Sequence, residues 1–75
     1  MKYIIIEKMG IETPLMFPDF IEHSTFANMS PISAGKMSVD NDNILRSINV
    51  NVWGESISLK LKHRSEDADI IKHSF

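Results

Sequence analysis

The sequence contains no cysteine and no long apolar segment. Without cysteine the chain can form neither a disulfide framework nor a metal site built from thiolates, and a small chain without disulfides fits a reducing compartment. No segment approaches the ~20 apolar residues that a helix needs to span a bilayer. The apolar run Ile4–Ile6 is too short for the core of a signal peptide, and no small-residue cleavage site follows it. We therefore expect a mature, cytoplasmic protein that is not inserted in a membrane.

The chain also lacks an excess of positive charge. Eight Lys and Arg residues stand against ten Asp and Glu residues, which gives a net charge of −2. A general nucleic-acid binder usually has a clearly basic domain, so we do not expect nucleic-acid binding. The apolar fraction of 43% and the charged fraction of 24% are typical of folded chains. A single domain of this size buries only about 60% of its unfolded surface, so we expect association, as a homo-oligomer, to supplement the core.

No catalytic or metal-binding motif is present. His23, His63 and His73 are scattered, without the i, i+4 spacing of a helical zinc site and without a carboxylate at a motif distance. Ser56 does not lie in a nucleophile-elbow motif, because Ser58 stands where the second Gly of that motif belongs. The sequence therefore predicts no enzyme, no cofactor and no metal site.

The acidic run Asp40–Asn43 resembles the start of a calcium-binding loop, because it alternates oxygen-bearing side chains. Such a loop needs Gly at its sixth position and Glu at its twelfth, where this chain has Leu45 and Asn51. We therefore interpret the run as a solvated turn.

Two alternating apolar runs flank Gly54 and Glu55 and predict a β-hairpin. Gly at the first of two loop positions suits a type II′ turn. Cross-strand partners share a face of the sheet. One face would carry the apolar pairs Val52–Ile57, Val50–Leu59 and Ile48–Leu61. The opposite face would carry the pairs Trp53–Ser56, Asn51–Ser58 and Asn49–Lys60.

The N-terminal segments predict two further strands. Lys2–Glu7 is rich in β-branched residues and apolar on both faces, which is typical of a central strand. Met9 and Gly10 offer a turn, after which Ile11–Phe17 can return antiparallel. Pro14 cannot donate a hydrogen bond to a neighbouring strand, so we expect this second strand at an edge of the sheet or at a bulge.

A helix is expected from about Pro18 to Ala27, because Pro is favoured at the first helical position. Ile32–Val39 predicts a strand, in which Gly35 marks a bulge or a close approach of another backbone segment. Ser65 is placed to cap a short C-terminal helix. The core-facing stripe of that helix would be Ala68, Ile71 and Phe75.

Together with strands at Ile44–Trp53 and Ser56–Lys62, these elements follow the order ββαβββα. The predicted fold class is α+β, a small antiparallel sheet of about five strands with two short helices. One or both helices would cover one face of the sheet. All 75 residues belong to a single domain, 1–75.

The polar face of the predicted hairpin is the candidate binding surface. It combines a large aromatic side chain with small hydrogen-bonding groups, a mixture found at recognition surfaces. If another element packs on that side, Trp53 would instead be a core or rim residue. The candidate binding residues are Asn49, Asn51, Trp53, Ser56, Ser58, Lys60 and Arg64.

Arg64 is included among the candidate binding residues because of a second pattern. Lys60, Lys62 and Arg64 form a basic strip with Arg46 on the neighbouring strand, and such a strip could meet phosphates or an acidic partner. Lysines on a sheet edge also serve to prevent unwanted strand pairing. The acidic residues that follow the strip would partly neutralise its charge.

Three short segments, Ile32–Gly35, Gly54–Leu59 and Arg64–Ala68, follow a Met-Lys-Tyr-Ile-Ile-Ile start. In this order they resemble a group of very short, uncharacterised proteins encoded by tailed bacteriophages, and the resemblance covers most of the chain. It implies action in the bacterial host cytoplasm, where such proteins often bind host machinery to inhibit or redirect it. The group offers no established activity or site residues to transfer to this chain.

We therefore expect a non-enzymatic binding protein, a phage-encoded inhibitor of a host defence factor that acts through a sheet face. The alternative is an oligomeric protein that sequesters a small nucleotide-like ligand, with Lys60, Lys62 or Arg64 contacting phosphate. That ligand would lie between subunits, because a monomer of this size has little room for an enclosed pocket.

Overall fold

A computed structural model describes residues 1–42, 44–45 and 47–75. Its centre is an antiparallel sheet of four strands in the order β2-β1-β3-β4. A separate pair of two-residue strands, a 3₁₀ helix and a short α-helix complete the chain, and none of the described helices is long and apolar enough to cross a membrane. The elements are β1 Lys2–Lys8, β2 Ile11–Phe17, the 3₁₀ helix His23–Met29, β3 Ser33–Asp42, β4 Ser47–Trp53, β5 Glu55–Ser56, β6 Leu61–Lys62 and α1 Asp67–Lys72.

The first two strands are as predicted. β1 is central, between β2 and β3, and Tyr3, Ile4 and Ile5 are completely buried because both faces of the strand are covered. β2 is an edge strand and carries Pro14. The turn between them has positive φ at both Met9 (55°) and Gly10 (80°), the conformation that joins strands in a type I′ hairpin.

The two helices lie on opposite faces of the sheet. On one side, here called the α1 face, Ile71 of α1 packs with Tyr3, Ile5 and Met37. On the other side, here called the 3₁₀ face, buried Ile4, Phe17 and Ala34 pack with Ile21 and Phe26, and with Leu59 and Leu61. The coarse prediction of an α+β domain with an antiparallel sheet is confirmed, but the number and order of strands differ from those predicted.

The predicted helix Pro18–Ala27 is wrong in both its bounds and its type. A turn occupies 19–20, and the 3₁₀ helix begins only at His23. Its preceding residue, Glu22, makes no capping hydrogen bond through its side chain, and the backbone is kinked at Phe26. Ser, Thr and Asn, which fill much of this segment, are weak helix formers because their side chains compete for backbone hydrogen bonds.

The predicted hairpin around Gly54 and Glu55 is also wrong. β4 pairs with β3 instead, and its apolar residues stand opposite a different set: Val52 opposite Met37, Val50 opposite Val39, and Ile48 opposite Asn41. β3 offers the same alternation of apolar residues as the predicted partner and pairs along all seven residues of β4. The second edge of β4 is not taken by the segment after Gly54, because Leu59 and Leu61 of that segment pack on the 3₁₀ face with the core residues of that face.

After Gly54 the chain leaves the main sheet. The short strands pair Glu55 with Lys62 and Ser56 with Leu61, around a turn at 57–60. The predicted strand Ser56–Lys62 is thus broken into two. Asp40, Asn41 and Asp42 belong to β3 rather than to a turn, while Asn43 and Arg46 lie outside the described residues.

Gly35 allows another segment to approach β3 closely, as its place in the sequence indicated. A Cβ atom at this position would lie 2.7 Å from the backbone oxygen of Trp53, 3.1 Å from Cβ of His63 and 3.2 Å from Cε1 of Tyr3. Real Cβ atoms essentially never approach other heavy atoms to 2.7 Å. Because Gly35 has no side chain, the backbone at the end of β4 and the residue His63 can lie close to β3 at this point.

A buried carboxylate joins α1 to the central strand. Asp67 is completely buried, and its Oδ2 accepts hydrogen bonds from Tyr3 Oη at 2.5 Å and from the Arg64 backbone N–H at 3.0 Å. The Arg64 side chain donates through Nε to Asp67 Oδ1 at 2.9 Å and through Nη1 to Glu12 Oε1 at 3.0 Å. Strands β1 and β2 and helix α1 are thereby tied together.

Two expectations for the C-terminal helix need correction. Ser65 is not its cap; Glu66 precedes the helix and makes no capping hydrogen bond through its side chain. The bond from the Arg64 backbone to Asp67 fixes the start of the helix instead. Ile71 is fully buried and Ala68 half-buried, but Phe75 is 62% exposed because the helix ends at Lys72.

Alkaline pH should destabilise the fold through Tyr3, the single tyrosine of the chain. Burial, reinforced by Asp67, raises the pKa of Tyr3 far above its ordinary value of 10.0. Above about pH 10 the unfolded chain loses this proton while the folded chain keeps it. The free energy of unfolding should therefore be insensitive to Tyr3 below that pH and decrease above it. Denaturant titrations at a series of alkaline pH values measure the slope.

Tyr3→Phe is the matched control, because it keeps the buried ring and removes the titrating hydroxyl. This variant should be less stable at neutral pH and should show a smaller alkaline slope. Tyrosinate absorbance that develops in the folded protein near pH 10, or an equal slope in Tyr3→Phe, would contradict the assignment.

Gly35→Ala should destabilise the fold by about 1–3 kcal/mol or more, the range for inserting atoms into a well-packed site. The added methyl group would meet the Trp53 backbone oxygen, which cannot move as a side chain can. Ser38→Ala, also on β3 but at a half-buried position, should change stability by less than about 0.5 kcal/mol. Thermal or chemical denaturation compares the two, and equal stabilities would refute the close approach.

Candidate binding face

Part of the 3₁₀ face is left uncovered. In the β3–β4 ladder, Lys36 stands opposite Trp53 and Ser38 stands opposite Asn51. Partners in such a ladder point to the same side. Lys36 is two residues after Ala34 on β3 and therefore points to the same side, and the side chain of Ala34 belongs to the core of the 3₁₀ face. Asp40, which is exposed and stands opposite Asn49, lies on the same side. We call the surface formed by Lys36, Ser38, Asp40, Asn49, Asn51 and Trp53 the exposed face.

The packing on the two sides of β4 explains why this face stays open. Val50 and Val52 pack on the α1 face against the buried core. On the 3₁₀ face, the 3₁₀ helix is engaged above the other half of the sheet, where Phe26 lies against Phe17 with ring centroids 4.8 Å apart. Asn49 and Asn51 are exposed, and Trp53 is 45% exposed. Trp53 is therefore a surface residue rather than part of the core.

A groove adjoins the exposed face. It lies between the start of the 3₁₀ helix and the turn that follows β5, and its volume is about 460 Å³. Lys36 lines the groove and also stands opposite Trp53, so the groove and the exposed face are continuous. The lining residues are Lys2, Glu22, His23, Lys36, Glu55, Ser56, Ile57 and Ser58.

Two buried polar side chains hold the walls of the groove in place. His23 is 5% exposed, and its Nε2 lies 2.9 Å from the backbone oxygen of Gly35. A carbonyl oxygen can only accept, so Nε2 carries the proton and donates it. The His23 ring also packs edge-on against Phe17, with centroids 5.5 Å apart. These contacts attach the 3₁₀ helix to β3 and β2.

Ser56 has the corresponding role on the other wall. It is 3% exposed, and its Oγ accepts a hydrogen bond from the Leu59 backbone N–H at 3.3 Å. Ser58 Oγ lies 3.3 Å from Ser56 Oγ. A hydroxyl that bonds the backbone three residues on stabilises a turn. Ser56 therefore shapes the groove, whereas the exposed Ser58 remains accessible to a bound molecule.

The charges along the groove nearly balance. Lys2 and Lys36 supply positive charge, while Glu22 and Glu55 supply negative charge. Lys2 Nζ donates to the backbone oxygen of Ile21 at 3.1 Å, which fixes its position at the groove floor. The groove can thus offer hydrogen bonds and salt bridges of both signs.

The structure brings only part of the predicted set together. Asn49, Asn51 and Trp53 lie in a row on β4, since alternate residues of a strand share a face. Ser56 and Ser58 line the adjoining groove but do not pair with Trp53 and Asn51. Lys60 is exposed in the turn with a φ of 56° and is not among the residues that line the groove.

Arg64 is separated from these residues. It lies on the α1 side of the sheet, where its side chain forms ion pairs with Asp67 at 2.8 Å and Glu12 at 3.0 Å. Lys36, His23 and Lys2 were not anticipated in the site. The alternation of Lys36 and Ser38 around Met37 could have indicated the first of them, because it separates a polar face from an apolar one.

Among the residues that the structure describes, no three His, Asp or Glu side chains gather into a group that could hold a metal ion. Comparison with protein-family models, with curated proteins and with solved structures finds no match to this chain.

Proposed function

We propose that this chain is a non-enzymatic protein that binds a partner protein through the exposed face. The observation that carries the proposal is the position of Trp53, a large aromatic side chain that is 45% exposed on a strand of the sheet. Trp is among the residues that dominate the energetics of protein interfaces. Asn51 and Lys36 flank it with hydrogen-bonding groups.

The support beneath this face favours binding without large rearrangement. Neighbouring Val50 and Val52 pack into the core of the α1 face, so the backbone that carries Trp53 and Asn51 is held from behind. Side chains on a rigid strand lose less conformational freedom on binding than side chains on a mobile loop. An aromatic side chain with only two rotatable bonds adds further to this advantage.

The adjoining groove fits a protein partner better than a highly charged small ligand. Its two lysines and two glutamates can each meet an opposite charge on a mixed protein surface. The resemblance to short phage proteins suggests the kind of partner. We propose a host protein of the bacterial cytoplasm, such as a component of a defence system that the chain would inhibit.

A nucleotide-like ligand is the second candidate function, and the groove is the observation in its favour. Lys2 and Lys36 could contact phosphate, and Ser58 could donate a hydrogen bond. Glu22 and Glu55 line the same groove and would repel a phosphate group. This reading needs Lys36 rather than Lys60 or Arg64 as the phosphate contact, because Arg64 is engaged with Asp67 and Glu12.

Trp53→Ala should weaken binding of the partner by about 30-fold or more, as expected for the loss of an interface residue worth 2 kcal/mol. Phe20→Ala is the matched control, because Phe20 is an equally aromatic residue, 85% exposed, outside the exposed face. Tagged protein and both variants would be used to capture partners from a bacterial lysate. The affinity of each variant for the purified partner would then be measured by calorimetry.

A partner that binds wild type and Phe20→Ala but not Trp53→Ala would support the proposal. Circular dichroism must show that Trp53→Ala remains folded. Equal affinity of all three proteins for the partner would refute binding through the exposed face. Native mass spectrometry of the gently purified protein tests the second candidate, since a retained small molecule that is lost in Lys36→Glu would favour the groove as a ligand site.

A further inference from the structure

β4 is an edge strand that lacks charged residues, Pro and Gly, although α1 packs against its apolar side chains. It ends the order β2-β1-β3-β4, and within the described part of the chain it pairs with β3 alone. Its seven residues, Ser47–Trp53, include no charged residue, no Pro and no Gly. An edge strand leaves a row of backbone N–H and C=O groups without partners in the sheet.

The opposite edge of the sheet shows the contrast. β2 carries Pro14, which removes one backbone donor, and Glu12, which places a charge on the strand. Proline and charge are devices by which proteins prevent pairing between sheet edges. One edge of this small sheet is therefore protected, and the other is open.

We propose that β4 pairs antiparallel with β4 of a second copy of this chain, about a two-fold axis at Val50. The pairing joins two four-stranded sheets into one of eight strands. Its basis is the self-complementary sequence of the strand. Running antiparallel to itself in this register, β4 brings together the pairs Val50–Val50, Ile48–Val52, Asn49–Asn51 and Ser47–Trp53.

The three inner pairs are chemically matched. Ile48, Val50 and Val52 share the α1 face, so the second copy extends the apolar surface on that side. Asn49 and Asn51 meet on the other side, and each amide can both donate and accept a hydrogen bond. No like charges oppose each other. A shift of the register by two residues would leave part of the strand unpaired and lose backbone hydrogen bonds.

Apolar side chains near this edge stay partly exposed in the monomer. Val39 stands opposite Val50 on the α1 face and is still 38% exposed. Val50 itself is only half-buried, although it contacts the core. A domain of this size has a limited core, and association is a common way to supplement it.

This inference is independent of the proposed function, although the two are compatible. Strand pairing uses backbone groups in the plane of the sheet together with the side chains of Asn49 and Asn51, whereas partner binding depends chiefly on Trp53. The dimer would place two copies of Trp53 on one continuous surface. It is tested with the purified chain alone, so a missing partner protein cannot affect the outcome.

Sedimentation of the purified chain over a range of concentrations should show a species of twice the 8.6 kDa monomer mass. Changing both Asn49→Lys and Asn51→Lys places like charges opposite each other at two cross-strand pairs, and should weaken dimerisation by about tenfold or more. The control carries Ser24→Lys and Asn28→Lys on the 3₁₀ helix, where both residues are exposed, and should dimerise as wild type.

The register is tested by charge reversal. A second variant with Asn49→Glu and Asn51→Glu should also be weakened as a homodimer, while an equimolar mixture of the Lys and Glu variants should form a heterodimer. Thermal denaturation of each variant checks that it is folded. A wild-type chain that stays monomeric at all concentrations would overturn the proposal. A Lys variant that is folded and dimerises as well as wild type would overturn it equally.

Discussion

The hydrogen bond from Tyr3 to the buried carboxylate of Asp67 connects the central strand to the C-terminal helix across 64 residues of sequence. A carboxylate that is fully buried is costly unless its oxygens are satisfied. Here Tyr3 and Arg64 satisfy both oxygens, and Arg64 extends the network to Glu12 on β2. Charge-assisted bonds of this kind contribute about 1.5–3 kcal/mol each, a large share of the 5–15 kcal/mol that stabilises a typical domain.

To reach this network, the chain returns from the 3₁₀ face, where Leu59 and Leu61 pack, to the α1 face, where Asp67 is buried. Gly35 leaves room for this return, because it faces the same side as Tyr3 and the Trp53 carbonyl and His63 lie where its side chain would otherwise be. β4 therefore ends at Trp53, and the β5–β6 pair lies beside the start of β3 instead of extending the main sheet. The groove is the space between that pair and the 3₁₀ helix.

Local patterns were sufficient to predict the elements that depend on local chemistry. β1 could be predicted as central from its two apolar faces, and β2 as an edge from Pro14. The partner of β4 could not, because its alternating residues match both β3 and the segment after Gly54, and the packing of Leu59 and Leu61 on the 3₁₀ face draws that segment away from β4. The same limit applies to the site. Asn49, Asn51 and Trp53 share a face by strand periodicity alone, whereas the positions of Lys36 and Arg64 depend on tertiary pairing.

β4 presents three sets of chemical groups in three directions. Its even-numbered apolar side chains point to the α1 face and pack on the core. Its odd-numbered side chains point the other way and form much of the exposed face. Its outer backbone groups lie between these directions, in the plane of the sheet. Because the side chains of the exposed face point away from the α1 face, a substitution there leaves the packing of Val50 and Val52 intact. In a chain with so few strands, this geometry lets one strand pack on the core and at the same time present accessible side chains and backbone groups.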